Sequence, residues 1–314
     1  MEFSYRMVNE TVCIDKIENP GAVVVVPEEI EGRPVTELGA YVLSGTSVEE
    51  VYLPSSLVKI GAYGFYGCEA LRRIHCFGRL TDLGTGLFAG VQGVEYLEYT
   101  EFVGERSGFK DLLSELRQTL WVKLLRQNQA GETEEARLIF PEYFEESVEN
   151  TPARILFIET HGCGHRYRYC FVNRQFQFRG YDELFPHAKV QEPESLVTEL
   201  ALGRLLYPLE LGERFRDMYR EYIKEHWQEA GRLLIEADVK GRGQVSHLEP
   251  GKLPWLVKEF AGELFQAEEF IAMAGRAEDT EMVSWLMDYR HGLLTAHKSL
   301  EEEGGKRRRR KFEL

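Results

Sequence analysis

His161, Cys163, His165 and Cys170 fall within ten residues of one another, in a run that opens His161-Gly162-Cys163-Gly164-His165. Two imidazoles and two thiols of this kind could meet one zinc ion, with the sulfurs at ~2.3 Å from the metal. H-x-C-x-H is not a standard zinc spacing, however, and glycines in a turn need no metal to explain them. The plain alternative is a polar hairpin turn beside a buried Cys170. A thiol enzyme would use Cys163 as nucleophile and His161 or His165 as base, with Arg166 and Arg168 favouring the thiolate. No oxyanion hole or third group can be placed from the sequence.

Other chemistries find less support. Asp238 to Glu249 has Asp first, Gly243 sixth and Glu249 twelfth, as a calcium loop would, but Lys240 and Arg242 stand in liganding positions and oppose a divalent ion. There is no Gly-rich loop followed by Lys-Ser or Lys-Thr, no complete dinucleotide fingerprint, no H-E-x-x-H and no G-x-S-x-G. The reading is therefore non-enzymatic, with no cofactor expected.

The elements that would carry a binding surface are clearer. Gly39-Ala40, Gly61-Ala62 and Gly84-Thr85 recur at 22 and 23 residues, and the apolar residue four places after each glycine is Leu43, Phe65 or Phe88. Gly45, Gly67 and Gly90 follow in step, and Val48, Leu71 and Val94 each open a short strand-like segment. One strand per period of about 20–29 residues marks a leucine-rich solenoid, whose turns bury their core only by stacking. Within the clearest unit, Val48, Val51 and Leu53 point inward and Pro54 ends the strand.

IGAYGFYGC at 60–68 resembles the unit of the BspA-like bacterial leucine-rich repeats; LGTGLFAG at 83–90 is a looser match, and LGAYVLSG at 38–45 has Leu43 where that unit has Phe. The resemblance covers residues 1–100 or so. It implies a short solenoid that works by binding, and many relatives with such repeats lie at the cell surface.

Fifty-two acidic against 38 basic residues give a net charge of −14, and the tail Lys306–Lys311 alone carries +6, leaving −20 for the rest. So acidic a body repels phosphate backbones, which makes nucleic acid an unlikely partner except through that tail. No apolar run is long enough for a membrane span, and the start MEFSYRMVNE lacks the pattern of a secretory signal. Five cysteines, an odd and sparse set, suit reduced thiols and a cytoplasmic protein.

Along the chain, residues 1–26 read as a hairpin around Asn9-Glu10 followed by the first solenoid strand, with Val24, Val26 and Pro27 matching Val51, Leu53 and Pro54. The implied register sets Val25, Tyr52, His75 and Glu98 in one exposed row, and Val23, Glu50, Arg73 and Tyr96 in the next. Tyr and Arg on a rigid sheet suit protein recognition; the alternative is a face that is merely solvated or covered by the rest of the chain. The apolar spacing of 109–126 predicts one helix, and 137–180 predicts a small sheet turned at His161–His165. Helices follow from Glu194, and Leu248 and Leu286 occupy corresponding places in two weakly ankyrin-like helix pairs.

The expected fold is α+β: a leucine-rich solenoid (1–105), a connecting helix with a small α/β segment (106–191), an ankyrin-like or other two-helix array (192–300) and a disordered basic tail (301–314). The expected function is a protein-interaction or scaffold protein with an unidentified protein partner. The alternatives are a metal- or thiol-dependent enzyme centred on His161–Cys170, and a cell-surface adhesin whose signal sequence has been removed.

Overall fold

The computed structural model of the protein describes residues 1–150, 155–240, 247–260 and 264–295. The chain divides into two compact units, Met1–Pro193 with Gly203–Asp217, and Glu194–Leu202 with Met218–Leu314. The basic tail and residues 241–246 of the calcium-like loop lie outside the described residues.

The first unit opens with a hairpin, β1 (Glu2–Val8) and β2 (Thr11–Glu18), turned at Asn9, whose φ of 56° suits a short polar side chain. Short strands then alternate between two sheets: β3 (Val23–Val25), β4 (Glu29–Ile30), β5 (Arg33–Leu38), β6 (Glu50–Tyr52), β7 (Lys59–Ile60), β8 (Arg73–Phe77), β9 (Asp82–Leu83) and β10 (Tyr96–Phe102). One sheet runs β1-β2-β5-β7-β9, with β4 beside β5. The other runs β3-β6-β8-β10 and continues into β11 (Leu120–Gln127) and β12 (Thr133–Phe140). Pairing is parallel from β3 to β11, and β12 returns antiparallel.

The spacing of the repeat has a physical cause. Val24, Val51, Ile74, Leu97, Val122 and Leu138 share one register row, each at 1% exposure or less. Beneath them the rings of Phe65 and Phe88 stack at 5.4 Å. A Cβ added at Gly61 would stand 2.5 Å from Ala40 N, and one at Gly84 2.2 Å from Ala62 N. Gly61 N donates to Leu38 O and Gly84 N to Ile60 O, both at 2.8 Å. Neighbouring turns therefore meet backbone on backbone, which glycine alone permits.

The helix expected over 109–126 is only partly present. α1 (Phe109–Glu115) is helical, but Leu120–Gln127 is the strand β11, which lengthens the solenoid sheet. Leu120, Val122 and Leu124 are buried in alternation with half-buried neighbours, a period of two that the surrounding leucines conceal. Phe109 is fully buried, stacked on Tyr99 at 4.7 Å and met edge-on by Phe140 and Phe176.

The small-sheet expectation for 137–180 also needs correction. β13 (Phe144–Asn150) and β14 (Ile155–His161) form a hairpin, but residues 164–168 form α2 (Gly164–Arg168) rather than a strand. β15 (Phe171–Val172) and β16 (Gln175–Phe176) make a tight hairpin over Asn173 and Arg174, which carry φ of 48° and 67°. α3 (Phe178–Glu183), α4 (Phe185–Gln191) and α5 (Glu194–Leu206) follow.

Buried polar anchors fix this part of the unit. Arg168 donates to the carbonyls of Leu116 (2.7 Å), Gln118 (2.6 Å), Gly164 (3.1 Å) and Pro141, and burial pulls its guanidinium down to about 10. Tyr181 Oη accepts from Ile139 N (2.9 Å) and donates to Ile139 O (2.8 Å), sealing the outer edge of β12.

The second unit is helical: the start of α5, most of α6 (Glu213–Glu225), α7 (Trp227–Lys240), α8 (Leu253–Phe260), α9 (Leu264–Arg276) and a helical run at 280–295. α7 and α9 meet where the ring of Phe270 lies against Gly231, since a Cβ there would fall 2.2 Å from the ring. Leu248 and Leu286 are buried. Among the described residues, no helix is long and apolar enough to cross a membrane.

Candidate protein-interaction face

The register sets Val25, Tyr52, His75 and Glu98 side by side across β3, β6, β8 and β10, and Val23, Glu50, Arg73 and Tyr96 in the neighbouring row. Lys123 and Arg137 extend the first row across β11 and β12, and Trp121 and Ile139 extend the second. These four extensions were hidden by reading β11 as helix. The 25-residue step from Tyr96 to Trp121 and from Glu98 to Lys123 was the signal for them.

One carboxylate organises the middle of the face. Glu50 Oε1 accepts from Tyr52 Oη at 2.8 Å and pairs with Arg73 Nη2 at 2.9 Å and His75 Nε2 at 2.7 Å. The imidazole of His75 lies flat on the Tyr52 ring, 3.9 Å between centroids, and burial together with the bond to Glu50 raises the Tyr52 phenol. Two aromatic rings, a guanidinium and a carboxylate are thus locked into one arrangement before any partner arrives.

Glu98 faces His75 Nδ1 at 3.9 Å and Lys123 Nζ at 3.3 Å. His75 and Lys123 together hold its carboxyl down to about 2. At 3.9 Å the His75 contact is electrostatic, and Nδ1 has no hydrogen-bond partner. Arg73 Nε and Trp121 Nε1 also lack one among the described residues.

Exposure is highest at the β3 end of the face. Val23 and Val25 are 51% and 56% exposed, whereas Tyr96 is only 8% and Arg137 3%. Tyr96, expected on an open row, is instead buried, with Arg73 5.7 Å over its ring, and burial pushes its phenol up to about 12. Arg137 pairs with Glu135 and stands 4.9 Å over the ring of Tyr207, in the stretch Gly203–Asp217. The rest of the unit therefore covers Tyr96 and Arg137, the side chains of Glu50 and His75 are each 12% exposed, and the β3 end of the face stays open at Val23 and Val25.

The second candidate group does not assemble. Among the described residues no three His, Cys, Asp or Glu side chains are grouped so as to hold a metal ion. His161 stacks on Phe144 at 4.6 Å beside Glu146 and Glu159, and His165 packs between Tyr143 and Tyr169. Cys163 is buried and donates to Glu192 Oε1 at 3.0 Å; burial, then that carboxylate, push its thiol up. Cys170 donates to Arg166 O at 3.5 Å and is pushed up to about 12 by burial. A nucleophilic thiol needs the opposite shift.

A cleft of about 610 Å³ opens at the ends of β10 and β11, lined by Glu101, Arg126, Arg174 and Glu210 among others. Arg126 pairs with Glu101 at 2.7 Å and with Glu210, and Arg174 pairs with Asp111. These charges neutralise one another, and nothing in the sequence pattern marked the cleft.

No curated protein matches the chain. Among solved structures it is similar to a leucine-rich repeat protein from Bacteroides ovatus, with 17% identity over 40% of this chain and 36% of that one, at a TM-score of 0.27. It is also similar to a leucine rich cell surface protein from Faecalibacterium prausnitzii, with 12% identity over 42% of this chain and 59% of that one, at a TM-score of 0.25. The chain thus spans less than two thirds of either protein. Residues 32–106 match the family model of the BspA type leucine rich repeat region, in six copies.

Proposed function

We propose that the chain is a non-enzymatic interaction protein that binds another protein on the open part of its solenoid face. The observation that carries this reading is the cluster on Glu50, where Tyr52, Arg73 and His75 are fixed in place and partly desolvated while still reaching the surface. Tyr and Arg at a rigid, partly desolvated centre are the groups from which binding hot spots are made. Val23 and Val25 supply an apolar border on the open side.

The helix pairs of the second unit, with Leu248 and Leu286 buried, extend the same reading as an ankyrin-like array that offers a further binding surface. Five free cysteines, four of them buried, suit a reducing compartment, and we place the protein in the cytoplasm on that ground.

Affinity capture from the native lysate, followed by titration of the recovered partner against Tyr52→Ala and Arg73→Ala, tests the proposal. Each substitution is expected to weaken binding by roughly 5- to 30-fold, the effect of losing about 1–2 kcal/mol at a hot spot. Unchanged affinity for both variants, or no specific partner, would sink it.

A further inference from the structure

We infer that the free edge of β3 is a self-association site, where a second copy of this chain adds its own β3 antiparallel and joins two solenoid sheets into one. β3 ends the sheet order, with β6 on one side only. Glu50 N donates to Ala22 O at 3.0 Å and Val26 N to Tyr52 O at 2.9 Å, so Ala22, Val24 and Val26 turn their backbone groups toward β6. Alternation along the strand then turns the N–H and C=O of Val23 and Val25 outward, where no bond from a described residue reaches them. Their side chains are 51% and 56% exposed. The far edge of the sheet is handled differently, since Tyr181 bonds both outward groups of Ile139 on β12.

The edge is complementary to itself. A two-fold axis through Val24 sets Val23 opposite Val25 of the second copy, and each such pair exchanges both of its main-chain hydrogen bonds. β-Branched side chains then face each other across the new ladder, a favourable cross-strand pairing. The same register sets Glu28 opposite Pro20 and Glu29 opposite Asn19, so no like charges meet. Pro27 falls next in the outward alternation and has no N–H to donate, which ends the ladder. An added flexible peptide would have to immobilise a residue for each bond gained, whereas β3 is already ordered in both copies. That difference favours a second copy as the occupant. The contact is small, so the dimer is weak and forms at high concentration.

Sedimentation equilibrium of the full chain from about 10 μM to 1 mM tests the inference, because a contact this small associates in that range. The mean mass is expected to climb from monomer toward dimer. Val25→Pro removes an outward N–H and leaves every bond to β6 intact, and Val25→Lys sets a charge at the same place; each is expected to weaken association at least about tenfold. Circular dichroism checks that each variant folds, and Val25→Lys decides the question if Val25→Pro does not. Tyr52→Ala, which bears on partner recognition, is expected to leave the dimer unchanged. A chain monomeric throughout the range, or a dimer that a folded Val25 variant leaves as strong as before, overturns the inference.

Discussion

Arg204 grips Asp182 through both carboxylate oxygens, Nε to Oδ1 at 2.8 Å and Nη2 to Oδ2 at 3.0 Å, and neither side chain reaches solvent. The guanidinium also donates to Leu209 O and lies 5.0 Å over the Phe178 ring. Removing one partner strands the other in the interior. Asp182→Ala is expected to cost about 3–5 kcal/mol in urea unfolding, and the double substitution Asp182→Leu with Arg204→Met much less. A double variant as unstable as the sum of its singles would contradict this.

Tyr181→Phe removes one hydroxyl and leaves Ile139 N–H and C=O unbonded in a buried place. A loss of about 2–4 kcal/mol is expected, together with faster amide exchange at Ile139. Tyr66→Phe, at an exposed ring, should change stability by less than about 0.5 kcal/mol.

Glu98 gives the face an acid limit. Its folded carboxyl takes up a proton only near 2, whereas in the unfolded chain it does so near 4.5. As pH falls below 4.5 the unfolded state binds the proton first, so the stability contributed by Glu98 is full above that value and is lost on the way to 2. With 30% of the side chain exposed, solvent screening holds the contribution to about 1 kcal/mol. Thermal melts from pH 6 to pH 3 should converge for wild type and Glu98→Gln; a constant gap would show that the charge is not the cause.

The thiols should be inert. Burial raises those of Cys13, Cys76, Cys163 and Cys170. Native protein with a disulfide reagent at pH 8 is expected to react at least about 100-fold slower than protein in urea. Rapid labelling of Cys163 would reopen the thiol-enzyme reading.

Two glycines should respond in opposite directions. Gly84→Ala forces a Cβ to within 2.2 Å of Ala62 N and is expected to cost about 3 kcal/mol or more. Gly275 lies in α9 with nothing within 4 Å of an added Cβ, so Gly275→Ala should stabilise by about 0.5–1 kcal/mol. Chemical denaturation of both variants checks the pair.

The solenoid was legible because its constraints repeat. Gly61 and Gly84 mark backbone contacts, and the inward row from Val24 to Leu97 fixes which residues face out, so both candidate rows could be aligned in register before the fold was known. β11 escaped because Leu112, Leu113, Leu116, Leu120, Val122 and Leu124 are buried on two successive elements, α1 with the loop after it and then the strand, and their joint spacing imitates one helix. Burial of Tyr96 was not legible either. It goes with Arg73 over its ring and with Trp121 beside it on β11, a strand that the spacing had concealed. The His161–Cys170 group failed because α2 begins at Gly164 and turns His165 toward Tyr143 and Tyr169.

The antiparallel return of β12 also bears on how such a chain can change length over generations. Every parallel strand from β3 to β11 offers the next turn the same ladder, but the outer side of β12 ends at Tyr181. A duplicated unit of 22 or 23 residues can be spliced in between the opening hairpin and β10, where it meets copies of its own backbone on both sides. Added after β12 it would find no strand to continue. The sheet can therefore accommodate an added turn in its middle, whereas its closing segment offers no ladder to one.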